Sequence, residues 1–400
     1  MLTQIDFYDK DTVKNILGCL SVKPDRIVFI YDSEIKDKNR FVCLESCFKK
    51  HLPNIIFEIR PVDINDVIMI YKTVIDVIDT YSRDGRCVMD ITGGSELMTV
   101  AGAKAAIETK TKMLYSDIIE GRIINVEDKA DFIPAETLTL DDYVEAKCAV
   151  FIGNSHDAPD ESRFGAILDM CEYIFSHLKE WRVTCSYIQQ AMASTPKSDV
   201  DLRSVLYFKT KGGHKVSPDI KMLEKFQELG FIKDLYVSEK HIVFSFKSEK
   251  YKSYLINFGV WLELFVYIHA IKTGEFSDVR LGAMVDWDIF DDKSVPGNEI
   301  DVVFTDASMP VFVSCKLTEA TTSAINELVI ERKRIGGWFS KAIIVTFSND
   351  KKENSGVYKR AKELGVEMLD KNDIMSGEFG KRLVSAVREH DLVSLKWKKF

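Results

Sequence analysis

Apolar positions recur differently in three stretches of the chain. Over residues 1–145, short apolar runs alternate with longer amphipathic segments. Residues 2–7, 26–31, 54–59 and 86–91 have the compact apolar character of strands. Residues 12–20, 41–52, 63–81 and 96–109 carry the wider period of helices. Strands separated by helices of ten or more residues predict a parallel sheet covered on both faces, a Rossmann-like layout. Residues 146–250 change character. A helix is predicted over 161–180 and another over 220–229, ending at Gly230. Phe231-Ile232 and a hairpin from 235–237 and 242–246 follow. Helix, Leu-Gly-Phe-Ile, then hairpin is a winged-helix pattern, which serves either to bind DNA or to pack as a connector; the acidic chain points to a connector. From 251 the alternation returns: a helix over 251–273, two strands at 298–304 and 311–316, a helix over 323–334, a strand at 341–347, a helix over 356–364 and a short strand at 366–369. That predicts an α/β domain on a mixed sheet.

Length and composition add boundaries. Four hundred residues exceed one ordinary core, so the expected domains are 1–145, 146–250 and 251–400. Hydrophobic residues at 46% and charged residues at 29% suit a soluble globular protein. The longest apolar run is broken by Glu263, so no membrane span is expected. The first residues lead straight into a strand-like run, without a basic region or cleavage site. Eight cysteines lack paired metal spacing; Cys43 and Cys47 read as two core thiols on a helix, and reduced cytoplasm is the expected compartment. A net charge of −8 argues against a constitutive nucleic-acid binder. Any action on nucleic acid is expected to be local, metal-assisted or conditional on a switch.

The strands at 298–304 and 311–316 carry the most informative chemistry. Strict alternation places Glu299, Asp301 and Val303 on one face of the first. On the second, Phe312, Ser314 and Lys316 share a face. Asp301, Ser314 and Lys316 thus meet on one polar surface. Phosphodiester hydrolysis needs carboxylates to hold Mg²⁺ or Mn²⁺, and a lysine to orient the nucleophile or stabilise developing charge. Glu263, an acid inside the apolar run 259–265, is a further candidate. Near the N-terminus, the strand at 86–91 runs into Thr92-Gly93-Gly94-Ser95 and then a helix. Such a turn lets backbone N–H groups approach an anion. The turn after the first strand, with Lys10, Asp11 and Thr12, is the other expected ligand loop, because ligands sit at the carboxyl ends of parallel strands.

Gly-Val-Trp-Leu-Glu at 259–263, Asn-Glu-Ile-Asp at 298–301, Ser-Cys-Lys at 314–316 and Gly336-Gly337 resemble the PD-(D/E)XK nuclease domain of CRISPR ancillary nucleases, in which a CARF sensor precedes the nuclease. Thr92–Ser95 resembles the Thr-Gly-Gly-Thr-Lys loop of CARF domains, with Glu96 in place of the lysine. The resemblance covers essentially the whole chain: sensor, connector, nuclease. It implies a cyclic oligoadenylate activator, most simply the tetra-adenylate, a homodimer whose two-fold axis matches the ring, and Mn²⁺- or Mg²⁺-dependent cleavage of DNA or RNA. Ser314 departs from the family's Glu-Cys-Lys. Two explanations follow. Either the acid has moved to the next helix, where Glu327 and Glu331 lie one turn apart, or the site has decayed and the chain is a ligand-sensing nucleic-acid-binding regulator.

Overall fold

A computed structural model describes residues 1–388 apart from 119, 194, 195, 197, 198, 210–212, 214, 291–297 and 350–354. The N-terminal sheet has the strand order Ile56–Val62, Arg26–Asp32, Leu2–Phe7, Arg86–Asp90, Lys112–Asp117, Arg122–Asn125, Phe132–Pro134. The first five are parallel and the last two antiparallel. Central strands such as Arg26–Asp32 (RIVFIYD) are buried on both faces and so read as continuous apolar runs. Strand order reverses between Leu2–Phe7 and Arg86–Asp90, which opens a crevice at their carboxyl ends.

The C-terminal sheet is mixed. Its order is Val366–Leu369, Lys341–Thr346, Met309–Lys316, Asn298–Asp306, Ser277–Asp286, Val150–Asn154. Val150–Asn154, from the stretch expected to be connector, is an edge strand of this sheet. A third sheet orders Ile232–Val237, His241–Phe246 and Asp201–Val205 beside the helices Leu178–Met192 and Ile220–Glu228. Leu229 and Gly230 end the latter helix, with Gly230 in the left-handed region at φ +76°.

Three apolar cores tie these layers together. One packs Val67–Tyr81 and Glu96–Thr109 on the outer face of the N-terminal sheet. A second joins the sheet's other face, through Val13–Val22 and Asn39–His51, to Ala283, Ile300, Phe312 and Ile344 of the C-terminal sheet. The third joins the opposite face of that sheet to the central helices around Trp181 and Trp261. Polar contacts reinforce the second junction. Arg280 pairs with Asp141 and Asp278, at 2.8 Å to each. Leu138 donates its N–H to Ser308 Oγ at 3.2 Å.

Three local expectations change. The helix expected over 161–180 divides into Phe164–Ser176 and Leu178–Met192. His177 makes the break: its ring stacks on Tyr173, and Nδ1 lies 2.9 Å from the Tyr173 carbonyl oxygen. The helix expected over 251–273 is two, Glu249–Ile256 and Val260–Thr273, bent by 118°. Asn257 Oδ1 accepts the Gly259 N–H at 3.0 Å at that corner. Among the described residues no single helix is long and apolar enough to cross a membrane; the bent pair passes that test by composition, and Val260–Thr273 is almost entirely buried in protein. Finally, Cys43 is not a free core thiol. It is disulfide-bonded to Cys148, 105 residues later, while Cys47 remains a buried thiol.

Candidate functional site

The ladder between Asn298–Asp306 and Met309–Lys316 runs from Asp306↔Met309 to Val302↔Val313 and stops before Asp301. There a side chain takes over from the backbone. Asp301 Oδ2 accepts the Cys315 N–H at 2.7 Å, the Ser314 hydroxyl at 3.3 Å and Lys316 Nζ at 3.4 Å. The expected meeting of Asp301, Ser314 and Lys316 is present. The strict alternation is not. Ile300 and Val303 both pack in the core toward the N-terminal sheet, whereas Val302 and Phe304 pack in the other. Opposite Asp301 in the neighbouring strand stands Gly282 at φ +56°, where the strand twists locally; Leu281 and Ala283 part in the same way.

A cavity of about 310 Å³ opens over this point, lined by Asn298, Glu299, Asp301, Ser314, Lys316, Glu327 and Glu331 among others. Glu331 is buried, and its Oε1 accepts the Asn298 amide at 2.9 Å. Burial pushes its carboxyl up to about 7, with Glu327 and Asp301 adding to the push against Asn298 and Lys316. Glu263 stands in the first turn of Val260–Thr273 at 8% exposure. Burial, then Asp301 and Glu299, hold its carboxyl well above the usual range, opposed by Lys316. Burial pulls Lys316 down, but Asp301 and its other anionic neighbours outweigh it and raise the ammonium. Several carboxylates thus converge on one lysine. Asp301 adds to the upward push on both Glu263 and Glu331, which marks a place made for additional positive charge. Glu263 Oε2 is buried with no hydrogen-bond partner among the described residues. An orphaned carboxylate oxygen beside other acids fits a hard divalent cation.

One residue was invisible to sequence reasoning. His156 follows the edge strand Val150–Asn154 and lies beside Glu263 and Glu299, so that a ring nitrogen and one oxygen of each acid fall within 4.8 Å of one another. A lone histidine far from the acids in sequence gives no spacing signal.

At the N-terminal crevice, residues 8–12 and 92–95 do come together. Gly93 lies against the first strand: a Cβ there would stand 2.4 Å from the Phe7 carbonyl oxygen. Gly94 adopts φ +80°, and a Cβ would meet Phe7 Cβ at 2.7 Å. Ser95 caps the helix Glu96–Thr109, accepting the Met98 N–H at 3.3 Å. The Thr92 hydroxyl is committed to Asp90 and to the Ser116 N–H, so it braces the loop. Thr12 is buried, its hydroxyl without a partner among the described residues. Asp11 is turned toward Gly337 of the C-terminal half. Lys10 is exposed and lines two cavities of about 410 Å³ each. One holds Gly94, Ser95, Asp32 and Glu34. The other holds Arg40, Lys147, Lys333 and Arg334, with Arg334 stacked 4.4 Å over Trp287. The second cavity therefore joins the N-terminal crevice to the helix that bears Glu327 and Glu331.

The model of the Card1 CARF domain matches residues 8–143, and that of the Card1-like endonuclease domain matches 249–386. The chain belongs to the Card1-like family of CARF endonucleases. The two matches take in well over half of the chain and contain both the crevice and the acid–lysine cavity. His156 lies outside both. No curated protein matches the sequence. Among solved structures, the chain is similar to Can2 from Sulfobacillus thermosulfidooxidans in complex with cyclic tetra-adenylate, with a TM-score of 0.70 at 14% identity, covering 97% of this chain and 100% of that one. It is similar to protein VC1899 from Vibrio cholerae, at 0.75 and 14%, covering 97% and 99%. A type III CRISPR defence DNA nuclease activated by cyclic oligoadenylate gives 0.52 at 12%, covering 91% of this chain and 51% of that one. At these identities the neighbours establish the fold. The Card1-like domain makes the chain a metal-dependent nuclease.

Proposed function

We propose that the chain is a homodimeric nuclease of type III CRISPR defence, switched on by cyclic tetra-adenylate and cleaving DNA or RNA with Mn²⁺ or Mg²⁺. The observation that carries this reading is the cavity in which Asp301, Lys316 and Glu331 stand together. The domain division is taken as sensor 1–145, connector 146–250 and nuclease 251–400. Asp301, Glu263 and Glu331, with Glu327 at the rim, hold the cation, which supplies charge neutralisation and an activated water. Lys316 stabilises charge on the scissile phosphate. Ser314 keeps Asp301 oriented through its hydroxyl, and Glu299 closes the acidic side of the cavity. Glu331 takes the part of the acid missing at 314, which favours a working site over a decayed one. Its burial and its bond to Asn298 support that assignment.

For the sensor, the bound ligand of Can2 and the activator of the CRISPR DNA nuclease support a cyclic oligoadenylate. Gly93, Gly94 and Ser95 offer the ring a close backbone approach, Lys10 and Thr12 offer polar contacts, and Asp11 and Thr92 hold the two loops in place. A two-fold ring suits two such crevices across a two-fold axis. Activation is a bias between two arrangements of sensor and nuclease.

The test is incubation of supercoiled plasmid, single-stranded DNA and RNA with Mn²⁺, with and without cyclic tetra-adenylate. Cleavage that needs both, and is lost in Asp301→Ala and Lys316→Ala, is expected. Cleavage that survives either substitution would overturn the site assignment. Ligand-dependent nucleic-acid binding without cutting would favour the regulator.

A further inference from the structure

His156 reaches the acid cluster from outside the nuclease domain's own sequence, and its surroundings hold it there. Gly282 leaves room for the turn: a Cβ at 282 would stand 2.2 Å from Ser155 Oγ, and Ser155 N–H bonds to the Gly282 carbonyl oxygen at 2.8 Å. Asn257, at the corner between two helices, lies 2.9 Å from His156 Nε2. The Asn257 oxygen is taken by the Gly259 N–H, so its amide donates to the ring. Among the described residues Nδ1 is buried without a partner, as is Glu263 Oε2, while Glu299 remains exposed. Two orphaned polar atoms, one of them on a side chain more than nine-tenths buried, thus belong to residues whose donor atoms lie within 4.8 Å of one another. Neither orphan is satisfied by the other, and a cation bound through Nδ1 and Oε2 would satisfy both.

We propose that His156, Glu263 and Glu299 form a cation position with one imidazole and two carboxylate donors, selective for Mn²⁺ over Mg²⁺. The proposal rests on the nuclease reading above and adds a ligand that the family match does not contain. The selectivity follows from donor chemistry. Mg²⁺ takes oxygen ligands in a strict octahedron and keeps its waters, whereas Mn²⁺, a larger transition-metal ion that sheds water more easily, accepts imidazole nitrogen more readily. Coordination through Nδ1 moves the ring proton to Nε2, and the Asn257 side chain turns to accept it, so the imidazole binds as its other neutral tautomer.

The experiment uses the full chain with Mn²⁺ as the probe, read by pulsed electron paramagnetic resonance and by calorimetric titration with Mn²⁺ and, separately, Mg²⁺. A nitrogen coupling on the bound Mn²⁺, altered by ¹⁵N-histidine labelling and absent in His156→Gln, is expected. His156→Gln and His156→Ala should each weaken Mn²⁺ by roughly tenfold or more and leave Mg²⁺ nearly unchanged. The labelled wild-type spectrum needs no substitution, so a variant that folds poorly does not decide the outcome. Mn²⁺ bound with no nitrogen coupling, or with equal affinity in wild type and both variants, overturns the histidine position. If Asp301→Ala still abolishes cleavage in that case, the nuclease reading stands without it. Absence of any Mn²⁺ or Mg²⁺ binding would sink both.

Discussion

Within the sensor crevice the turn at 92–95 presents mainly backbone, whereas the nuclease cavity presents mainly charge. At 92–95, side-chain hydroxyls are spent on the fold: Thr92 braces the strand end and Ser95 caps a helix, leaving two glycines and a helix start to meet a ligand. At 298–316 the reverse holds. Strand backbone gives way so that the Asp301 carboxylate can take the Cys315 N–H, and acids from two helices crowd around one lysine. The N–H groups of such a turn suit the phosphates of the proposed cyclic oligoadenylate. A small hard cation and a developing charge are met by carboxylates and an ammonium. The difference teaches where substitutions act: on space in the crevice, and on charge in the cavity.

The sharpest way to break this contrast is at Asp301. Asp301→Ala should lower single-turnover plasmid cleavage by roughly 10³-fold or more, and Lys316→Met by roughly 10²–10³-fold, the range for removal of a charge-stabilising donor. Both should leave the cyclic tetra-adenylate melting shift intact. A lost shift would mean the two sites are not separable. Next, Ser314→Glu should bring no gain in cleavage rate, because a further acid beside Asp301 and Glu331 adds repulsion where the missing carboxylate is already supplied. A rise of tenfold would show instead a decayed site repaired.

At the crevice, Gly93→Ala should abolish the melting shift on adding cyclic tetra-adenylate while Mn²⁺ binding stays unchanged, since its Cβ collides with the Phe7 carbonyl and pushes the loop off the strand. An undiminished shift would remove the backbone approach from the account. The smallest expected effect lies beneath the loop. Asp90 is fully buried, and burial raises its carboxyl to about 6; burial, with Asp90 beside it, also holds Asp6 well above the usual range. A raised folded-state pKa gives stability that is complete below about pH 4 and is lost as pH rises through about 6. Asp90→Asn keeps an oxygen for Thr92 and should raise stability at pH 8 by about 1–3 kcal/mol, with little change at pH 4. Parallel melting curves at the two pH values would refute it.

Strong apolar runs and capped helices were legible in advance. Glu96–Thr109 and Val366–Leu369 fall where their patterns predict, and most of the other expected helices shift only at their ends. Weakly patterned strands were not. Ser277–Asp286 mixes Arg280, Gly282 and Asp286 into its run, and Val150–Asn154 is exposed along an edge. Ser277–Asp286 gains its pairing from the strand that follows it and from Val150–Asn154, which lies far along the chain. The bends at His177 and Asn257 depend on side chains capping backbone groups, which an apolar period does not report.

By itself the sequence determined the alternation of strand and helix, the acid–lysine strand pair and the glycine turn, because each is local and each carries its chemistry within a few residues. Only the tertiary structure decided the rest. It ended the ladder at Asp301 and turned Glu331 into the cavity beside it. It brought His156 to Glu263 and Glu299, and joined Cys43 to Cys148. Those relations link residues from separate elements, most of them far apart in the chain, and packing against a shared core brings them together where no local pattern reports it.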